Sequence, residues 1–315
     1  MKNDFLTSDI PVLLIGFNRP LKILERLKEL ANSECKIPRI FVSIDGPRVN
    51  NQSDVQSISE ISTIIKQYEK LLPIYHTARH VNLGINHHVQ LAISEVFENY
   101  DFCIIIEDDV SISTVFYESM CVATRKFLNK DRVFIIGSYS ILEKNNSLFL
   151  NILMKKKNFW RISPYFFTWG FATSKEFWNL HKRNNQADLT ESRIWKKLSS
   201  RKQKVWLSRF GRSWDYDVQR SLFLNNGFSL APLYRISTNT GMGDELSTHT
   251  RFPKPWYIFG YGYTNEMPVR KIQNSALWNF IDSNTLAGDG YFSTRARTYG
   301  VRTLLKRSLR VLLNK

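Results

Sequence analysis

The chain of 315 residues contains little cysteine, no long apolar run and no glycine-rich nucleotide loop. Its three cysteines, Cys35, Cys103 and Cys121, are odd in number and form no Cys-x-x-Cys motif. This pattern excludes a disulfide framework and favours a reducing compartment. No apolar run reaches the roughly 18 residues of a transmembrane helix. Residues 1–9 are polar and acidic, unlike a signal peptide.

Acidic residues are also few, with 28 Asp and Glu against 44 Lys and Arg, which gives a formal net charge of +16. Such an excess predicts an anionic partner, which could be nucleic acid, anionic lipid or a phosphorylated substrate. A hydrophobic content of 43% excludes global disorder. The length suits one large α/β domain with additions, or two small domains.

The first hundred residues alternate between short apolar runs and amphipathic segments. The pattern predicts strands at 10–16, 39–44 and 73–76, separated by helices at 21–30 and 55–72 and followed by a helix at 86–98. Such a series forms right-handed β-α-β units of a doubly wound sheet. The absence of Gly-x-Gly-x-x-Gly and Gly-x-x-x-x-Gly-Lys-Ser/Thr disfavours a dinucleotide dehydrogenase and a P-loop NTPase.

An apolar run from Phe102 leads directly into three acids, Glu107, Asp108 and Asp109. The run is typical of a strand that is buried on both faces. Unpaired buried acids cost several kcal/mol each, so we expect the acids at the carboxyl end of the strand, where open α/β sheets bind ligands. Oxygen ligands there suit Mg²⁺ or Mn²⁺, which can hold a diphosphate. The alternative is a solvated acidic turn.

Four motifs follow one another along the chain, at residues 11–19, Val42 to Gly46, Asn82 to Gly84, and Ile106 to Asp109. Together they resemble the nucleotide-sugar half of a GT-A-fold glycosyltransferase, in particular the α-mannoside N-acetylglucosaminyltransferase family and its bacterial surface-glycan relatives. The resemblance, over roughly residues 10–250, implies a doubly wound, mostly parallel mixed sheet flanked by helices. It divides the chain into a glycosyltransferase domain at 1–250, with a nucleotide-sugar half (1–110) and an acceptor half (111–250), and a C-terminal extension at 251–315.

The resemblance implies a uridine site. Arg19 and Asp45 match the positions at which the family contacts uridine, and Asn86, His87 or His88 matches another contact. A carboxylate can accept the N3–H of uracil, and an arginine can stack on the base or pair with phosphate. The alternatives are a turn acid for Asp45 and an exposed helix face for the other three.

The same resemblance assigns roles around the donor sugar. Asp109 is the expected metal ligand, Asp108 would reach the ribose or the donor sugar, and Glu107 would bind a sugar hydroxyl. Trp169 and Gly170 match the segment that lines the sugar, where an aromatic face can stack on the ring and glycine allows close approach. The alternative for these two residues is an aromatic core strand.

The catalytic base is expected at a helix start near residue 214. The family has a Trp-Asp pair there, which implies Asp215 as the general base, with Asp217 the second candidate. Either acid could instead be a helix cap, worth about 1 kcal/mol. A glycine-rich loop at 237–250 matches one that closes over the donor. Its His249 would contact the diphosphate or the metal, or is an ordinary loop residue.

Two basic stretches leave alternatives open. Residues 182–212 form either a solvated helix face or a phosphate-binding patch. Residues 298–315 form a predicted basic amphipathic helix without acids, which either lies on an anionic membrane or packs on the domain. The bases of the first stretch are Lys182, Arg183, Arg193, Lys196, Lys197, Arg201, Lys202, Lys204, Arg209 and Arg212.

The resemblance implies a metal-dependent, inverting glycosyltransferase that uses Mn²⁺ or Mg²⁺. It would move a sugar, GlcNAc or a relative, from a UDP-sugar to a hydroxyl of a glycan or lipid-linked acceptor. We expect it in bacterial surface polysaccharide or lipopolysaccharide synthesis, cytoplasmic and peripheral on the inner face of the cytoplasmic membrane. One alternative is a sugar nucleotidyltransferase, although the chain lacks a glycine-rich basic loop after the first strand. The other is a basic nucleic-acid-binding protein, although it has no recognisable nucleic-acid module, so no nucleic-acid partner is expected.

Overall fold

The computed structural model describes residues 10–139, 159–183, 187–232, 235–241 and 271–273. The strands are β1 Val12–Gly16, β2 Ile40–Ile44, β3 Ile74–Ala78, β4 Phe102–Glu107, β5 Val110–Ile112, β6 Val133–Gly137, β7 Phe159–Ser163, β8 Phe171–Ser174, β9 Phe228–Pro232, β10 Ser237–Asn239 and β11 Lys271–Gln273. The helices are α1 Pro20–Ala31, α2 Gln52–Tyr68, α3 Ile85–Asn99, α4 Phe116–Phe127, α5 Lys175–Arg183, α6 Arg193–Lys196, α7 Ser200–Leu207 and α8 Trp214–Leu224.

A nine-stranded mixed sheet organises the described chain, in the order β11-β7-β9-β6-β8-β4-β1-β2-β3. The β3-β2-β1-β4 half is parallel throughout. Strand β8 then lies antiparallel between β4 and β6. Strands β5 and β10 form a separate antiparallel pair. This arrangement confirms the predicted doubly wound, mostly parallel sheet.

Alternate residues of β1 point to opposite faces of the sheet. Val12 and Leu14 join the core beneath α1 and α2, whereas Leu13 and Ile15 join the core beneath α3. The second core also contains buried side chains of α5 and α8. Helices therefore cover both faces, which explains why β1 and β4 are continuously apolar in sequence.

The predicted elements of the parallel half are confirmed, with shifted ends. Helix α1 begins with Pro20 at its first turn, where the missing N–H is tolerated. Helix α2 begins at Gln52, before the predicted residue 55, because the Asn51 side chain accepts the Asp54 N–H at 3.1 Å and caps it. It ends at Tyr68 rather than 72, consistent with the extended backbone favoured before Pro73.

Part of the predicted C-terminal extension lies in the sheet, because β11 pairs in parallel with β7. The domain boundary at residue 250 stays a prediction. The predicted amphipathic helix at 298–315 lies outside the described residues, as does His249. Within the described ranges, no helix has the length and apolarity needed to span a bilayer.

Candidate active site

The acid triplet lies at the carboxyl edge of the sheet. Strand β4 ends at Glu107, and the Asp108 N–H that follows donates to the Ile15 carbonyl of β1 at 2.9 Å. Asp108 is buried, with 1% of its surface exposed. The predicted location of the acids at the sheet's mouth is therefore confirmed, and the interpretation as a solvated turn is wrong for Asp108.

Arg19, in the segment after β1, pairs with the acids. Its Nε lies 3.1 Å from Asp108 Oδ2, one terminal nitrogen bonds Asp108 Oδ1, and the other lies 3.4 Å from Asp109 Oδ2. Burial lowers the pKa of Arg19, but the two carboxylates outweigh it and hold the pKa above its ordinary value. A bidentate pair of this kind fixes the guanidinium plane, so Arg19 stays charged at the edge of the site.

A fourth acid, Asp215 of α8, belongs to the same electrostatic cluster. Burial raises the pKa of Glu107 well above its ordinary value, and the charges of Asp109, Asp108 and Asp215 raise it further. Burial likewise raises the pKa of Asp108 to about 7, against the opposing effect of Arg19. Arg19 thus acts on Glu107, Asp108 and Asp109, and Asp215 adds a fourth negative charge near Glu107. Such a cluster favours protonation or a bound cation, because like charges in a desolvated site repel.

Asp109 has the properties of a metal ligand. Its Oδ1 is buried and has no hydrogen-bond partner among the described residues. The Thr240 N–H donates to its carbonyl at 2.7 Å. A Cβ on Gly241 would lie 2.4 Å from its Oδ2, so only glycine fits there. In the described ranges no group of three or more His, Cys, Asp or Glu forms a metal cage. The residues nevertheless fit Mg²⁺ or Mn²⁺, which usually take one or two protein carboxylates plus substrate phosphates.

The start of α8 distinguishes its two acids. Asp215 and Asp217 both lie in the first turn. Asp217 Oδ1 accepts the Gly211 N–H at 2.7 Å, so it fastens the preceding segment. Asp215 is the one whose charge acts on Glu107. Asp217 therefore has a structural contact, and the assignment of Asp215 as the general base stays a prediction.

Asn86, which was predicted to contact uridine, makes a contact that its sequence position did not indicate. Its side-chain Oδ1 accepts the Trp214 N–H at 2.9 Å and so satisfies a free donor at the start of α8. This bond ties the start of α3 to the start of the helix that carries Asp215. The uridine contact stays a prediction.

Asp45 is buried at the end of β2 and fastens a loop. It accepts the Gly46 and Leu83 N–H groups at 2.9 Å, the Gly84 N–H at 3.0 Å and the Asn82 side-chain amide at 3.1 Å. These four bonds use its usual acceptor positions. The carboxylate thus joins the end of β2 to the start of α3, and its predicted uridine contact is not tested by this geometry.

Among the neighbouring histidines, His88 rather than His87 lies beside Asp45. His87 is exposed. His88 is buried, with Nδ1 3.9 Å from Asp45 Oδ1 and Nε2 3.3 Å from the Ser43 carbonyl. Burial lowers the pKa of His88, so the ring is neutral at pH 7.

Trp169 and Gly170 form the loop before β8, which flanks β4. Gly170 has φ +84°, and a Cβ there would lie 2.5 Å from Ser138 Oγ. Ser138 and Ser237 donate to the Trp169 carbonyl at 2.8 and 2.6 Å. The Trp169 ring packs edge-on against Tyr139 with centroids 4.4 Å apart. Its indole is thus part of a packed cluster, and contact with a donor sugar stays a prediction.

Sequence reasoning missed the support behind Asp109. Glu29 of α1 accepts the Ser111 hydroxyl at 2.6 Å, the Ile112 N–H at 2.9 Å and the Arg26 guanidinium at 2.9 Å. These bonds hold β5, the strand directly after Asp109. In sequence, Arg26 and Glu29 are an ordinary i,i+3 surface pair, so no local signal could have identified this role.

The parallel half-sheet, the acids at its carboxyl edge with Arg19, and the acid delivered by α8 together define the class of the protein. It has the architecture of a GT-A-type glycosyltransferase. The family model described as the GNT-I family matches residues 3–182, more than half of the chain. The chain belongs to the GNT-I family, which confirms the resemblance drawn from the four motifs.

A search of curated proteins found no match. The solved structures that are similar to the chain include S. aureus TarS 1-349, with 13% identity over 71% of this chain and 57% of that one, at a TM-score of 0.42. TarS 1-349 in complex with UDP-GlcNAc has 14% identity over 41% and 34%, at 0.32. Glucosyl-3-phosphoglycerate synthase from Mycobacterium tuberculosis, in complex with Mn²⁺, UDP and glucosyl-3-phosphoglycerate, has 9% identity over 54% and 58%, at 0.32. The chain spans about a third and just over half, respectively, of the TarS chains in the UDP-GlcNAc complex and in TarS 1-349 alone. Similarity of this size defines no activity.

Proposed function

We propose that the protein is a metal-dependent, inverting glycosyltransferase that takes its sugar from a UDP-sugar. The observation that carries this proposal is the acid cluster at the carboxyl edge of the sheet, where Arg19 pairs with Asp108 and Asp215 lies within electrostatic range of Glu107. Such a site offers a proton acceptor on one side and groups for a diphosphate on the other. Membership of the GNT-I family supports the same reaction.

Asp109 would hold the Mn²⁺ or Mg²⁺ through its Oδ1, the buried oxygen that has no hydrogen-bond partner in the described part of the chain. When bound, the ion supplies positive charge that offsets the charge developing on the leaving diphosphate. Without a cation, the diphosphate would approach a cluster of acids and be repelled. Arg19 contributes the protein's own positive charge beside Asp108.

In this proposal, Asp215 accepts the proton of the acceptor hydroxyl as that oxygen bonds to the anomeric carbon. The electron pair of the broken bond leaves with the β-phosphate of UDP. Attack on the face opposite the leaving group inverts the anomeric configuration. Asn86 and Asp217 hold the start of α8 and so position Asp215. Glu107, whose raised pKa favours its protonated form, can donate a hydrogen bond to a sugar hydroxyl.

The donor and the acceptor of the proposed reaction follow from the same family resemblance. The donor is UDP-GlcNAc or a related UDP-sugar, with uridine near Arg19, Asp45 and one residue among 86–88, and with Asp108, Trp169, Gly170 and His249 toward the sugar and diphosphate. The acceptor is a hydroxyl of a glycan or lipid-linked molecule in bacterial surface polysaccharide or lipopolysaccharide synthesis. The net charge of +16 is consistent with work beside an anionic surface.

Calorimetric titration with UDP, in Mn²⁺ and in EDTA, tests the proposal. We expect Mn²⁺ to strengthen UDP binding and Asp109→Ala to remove that strengthening. Asp101→Ala is the matched control, because Asp101 is exposed at the opposite end of β4. A panel of UDP-, GDP- and CDP-sugars, measured by thermal shift, tests which nucleobase and which sugar the donor carries. Equal affinity in Mn²⁺ and EDTA would refute the metal role, and no binding of UDP would refute the function.

The membrane contact has its own test. Residues 301–315 lie outside the described residues, and the proposal uses only their composition, which includes leucines, Lys and Arg but no acid. Each basic residue near an anionic surface contributes about 1 kcal/mol. Removal of the residues after Gly300 should abolish co-sedimentation with anionic liposomes while UDP binding persists. A truncated protein that aggregates, together with an intact protein that never co-sediments at low salt, would assign the segment to packing.

A further inference from the structure

A basic segment lies directly before the helix that carries Asp215. Residues 192–214 contain no Asp or Glu, in contrast to the acid-rich site beside them. Six of the segment's basic side chains are exposed, and the other two, Lys202 and Arg209, are half-buried. The eight bases are Arg193, Lys196, Lys197, Arg201, Lys202, Lys204, Arg209 and Arg212.

One of these arginines, Arg209, is held against the first turn of α8. The guanidinium carbon of Arg209 lies 5.5 Å from the centroid of the Trp206 ring and 5.7 Å from that of Tyr216. The two rings meet edge-to-face at 6.1 Å. Stacking on two aromatic rings restricts the side chain, so less entropy is lost when it binds a ligand.

The backbone of the segment is fixed to the same turn. Gly211 has φ +77°, and its N–H donates to Asp217 Oδ1 at 2.7 Å. The Arg212 N–H donates to the Arg209 carbonyl at 3.1 Å. A compact turn therefore presents both arginines at the start of α8, with Arg212 exposed.

The charges of these arginines and of Asp215 act on one group, the Tyr216 hydroxyl. Burial raises the pKa of Tyr216, and Asp215 raises it further, whereas Arg209 and Arg212 lower it. The two arginines thus lie within electrostatic range of a tyrosine that is adjacent in sequence to Asp215. An acceptor whose hydroxyl reaches Asp215 would extend over this turn.

We propose that Arg209 and Arg212 form a subsite for a phosphate group of the acceptor, beside the hydroxyl that Asp215 deprotonates. This inference rests on the proposed function and names its acceptor class, a phosphate-bearing glycan or lipid phosphate. The planar forks of two arginines match phosphate oxygens. The subsite is separate from the donor diphosphate, which faces Arg19 and Asp109.

The test measures binding of tripolyphosphate, a soluble phosphate probe, to the full chain in EDTA, both without UDP and with an excess of UDP. The variant Arg209→Gln/Arg212→Gln should weaken this binding about tenfold, since charge-assisted hydrogen bonds to a partly exposed anion are of that order. The matched control Arg193→Gln/Lys197→Gln removes two exposed charges from the same acid-free segment. It should change the affinity for tripolyphosphate less than threefold. Because Arg209 packs on two rings, Arg212→Gln alone is measured too and should retain the wild-type melting temperature.

Three outcomes would overturn the subsite. Equal losses in both double variants would show diffuse attraction, and competition by UDP would place the phosphate in the donor site. Dependence on the two arginines that is seen only with phosphatidylglycerol vesicles, and not with tripolyphosphate, would assign the patch to lipid headgroups. UDP titration in Mn²⁺ runs in parallel for each variant. If the wild-type protein does not bind UDP, the result counts against the proposed glycosyltransferase. If it binds UDP but not tripolyphosphate, the result counts only against the subsite.

Discussion

Replacing Asp215 with asparagine is the most direct test of the chemistry. The change keeps the shape of the side chain and removes the proton acceptor. A general base contributes about 10²- to 10⁴-fold to a rate, so we expect transfer to fall by at least 100-fold, which corresponds to about 2.7 kcal/mol of transition-state stabilisation.

The same substitution should have little effect on stability. Asp215 lies in the first turn of α8, where a negative charge gains about 0.3–1 kcal/mol from the helix dipole. Its charge also disfavours ionisation of Glu107, because it adds to the effect of burial in raising the pKa of that group. Loss of the charge removes both effects, which oppose each other. We therefore expect the free energy of unfolding to change by less than about 1 kcal/mol, and UDP binding to be unchanged or slightly stronger.

The assay can use water as the acceptor, because in the proposed mechanism Asp215 would take the proton of an attacking water as it takes that of a hydroxyl. UDP release is followed from the UDP-sugar that stabilises the wild-type protein most in a thermal shift. Asp217→Asn is the matched control, since it is an acid-to-amide change in the same turn. Asparagine at 217 can still accept the Gly211 N–H, so this variant should stay within about threefold of the wild type.

The reasoning fails if Asp215→Asn releases UDP at the wild-type rate. Loss of activity in Asp217→Asn alone would transfer the role to Asp217. Full activity in both variants would leave the two acids as helix-start contacts only, and the base would have to be sought elsewhere.

Three further predictions concern the surroundings of the site. Asn86→Ala should lower the free energy of unfolding by about 1 kcal/mol, as measured with denaturant, because the hydrogen bond to the Trp214 N–H is lost. Weaker UDP binding at unchanged stability would instead support a uridine contact. Gly241→Ala should weaken Mn²⁺-dependent UDP binding about tenfold in calorimetry, because its Cβ would lie 2.4 Å from Asp109 Oδ2, and wild-type affinity would contradict the close packing. Burial lowers the pKa of His181 from 6.5 to about 4, so between these pH values the unfolded chain binds a proton that the folded chain does not. The free energy of unfolding should therefore fall by up to about 3 kcal/mol as the pH drops from 6.5 to 4. His181→Gln should flatten this pH dependence in unfolding curves, and an unchanged slope would exclude His181 as its source.

The parallel half of the fold was predictable because its signals are local. Each β-α-β unit has its own apolar run, helix periodicity and turn, as at Pro20 and at the residues around Asp45. The acids after β4 were predictable because charges at the end of a buried strand need a partner or a ligand. These features depend only on neighbouring residues, so the chain order alone predicts them.

The remainder depends on contacts between distant residues. Strand β8 inserts antiparallel between β4 and β6, and β5 pairs with β10 from far along the chain. The bond from Asn86 to the Trp214 N–H and those from Glu29 to β5 join residues 82 to 128 positions apart. No window of sequence contains both partners, and polar side chains such as these have the same appearance on a solvated surface.

The contacts of Thr240 and Gly241 with Asp109 have a consequence for the order of folding during synthesis. Thr240 and Gly241 are made more than a hundred residues after Asp109, yet their backbone packs directly against it. Contacts of such long sequence separation form late in folding. A nascent chain can complete the β3-β2-β1-β4 half, with its three acids at one edge, while the segment that packs against Asp109 is still to be translated. Under the proposed function, the donor site would therefore be complete only after residues 111–250 have folded, so an activated sugar would not be bound by a chain that still lacks Asp215.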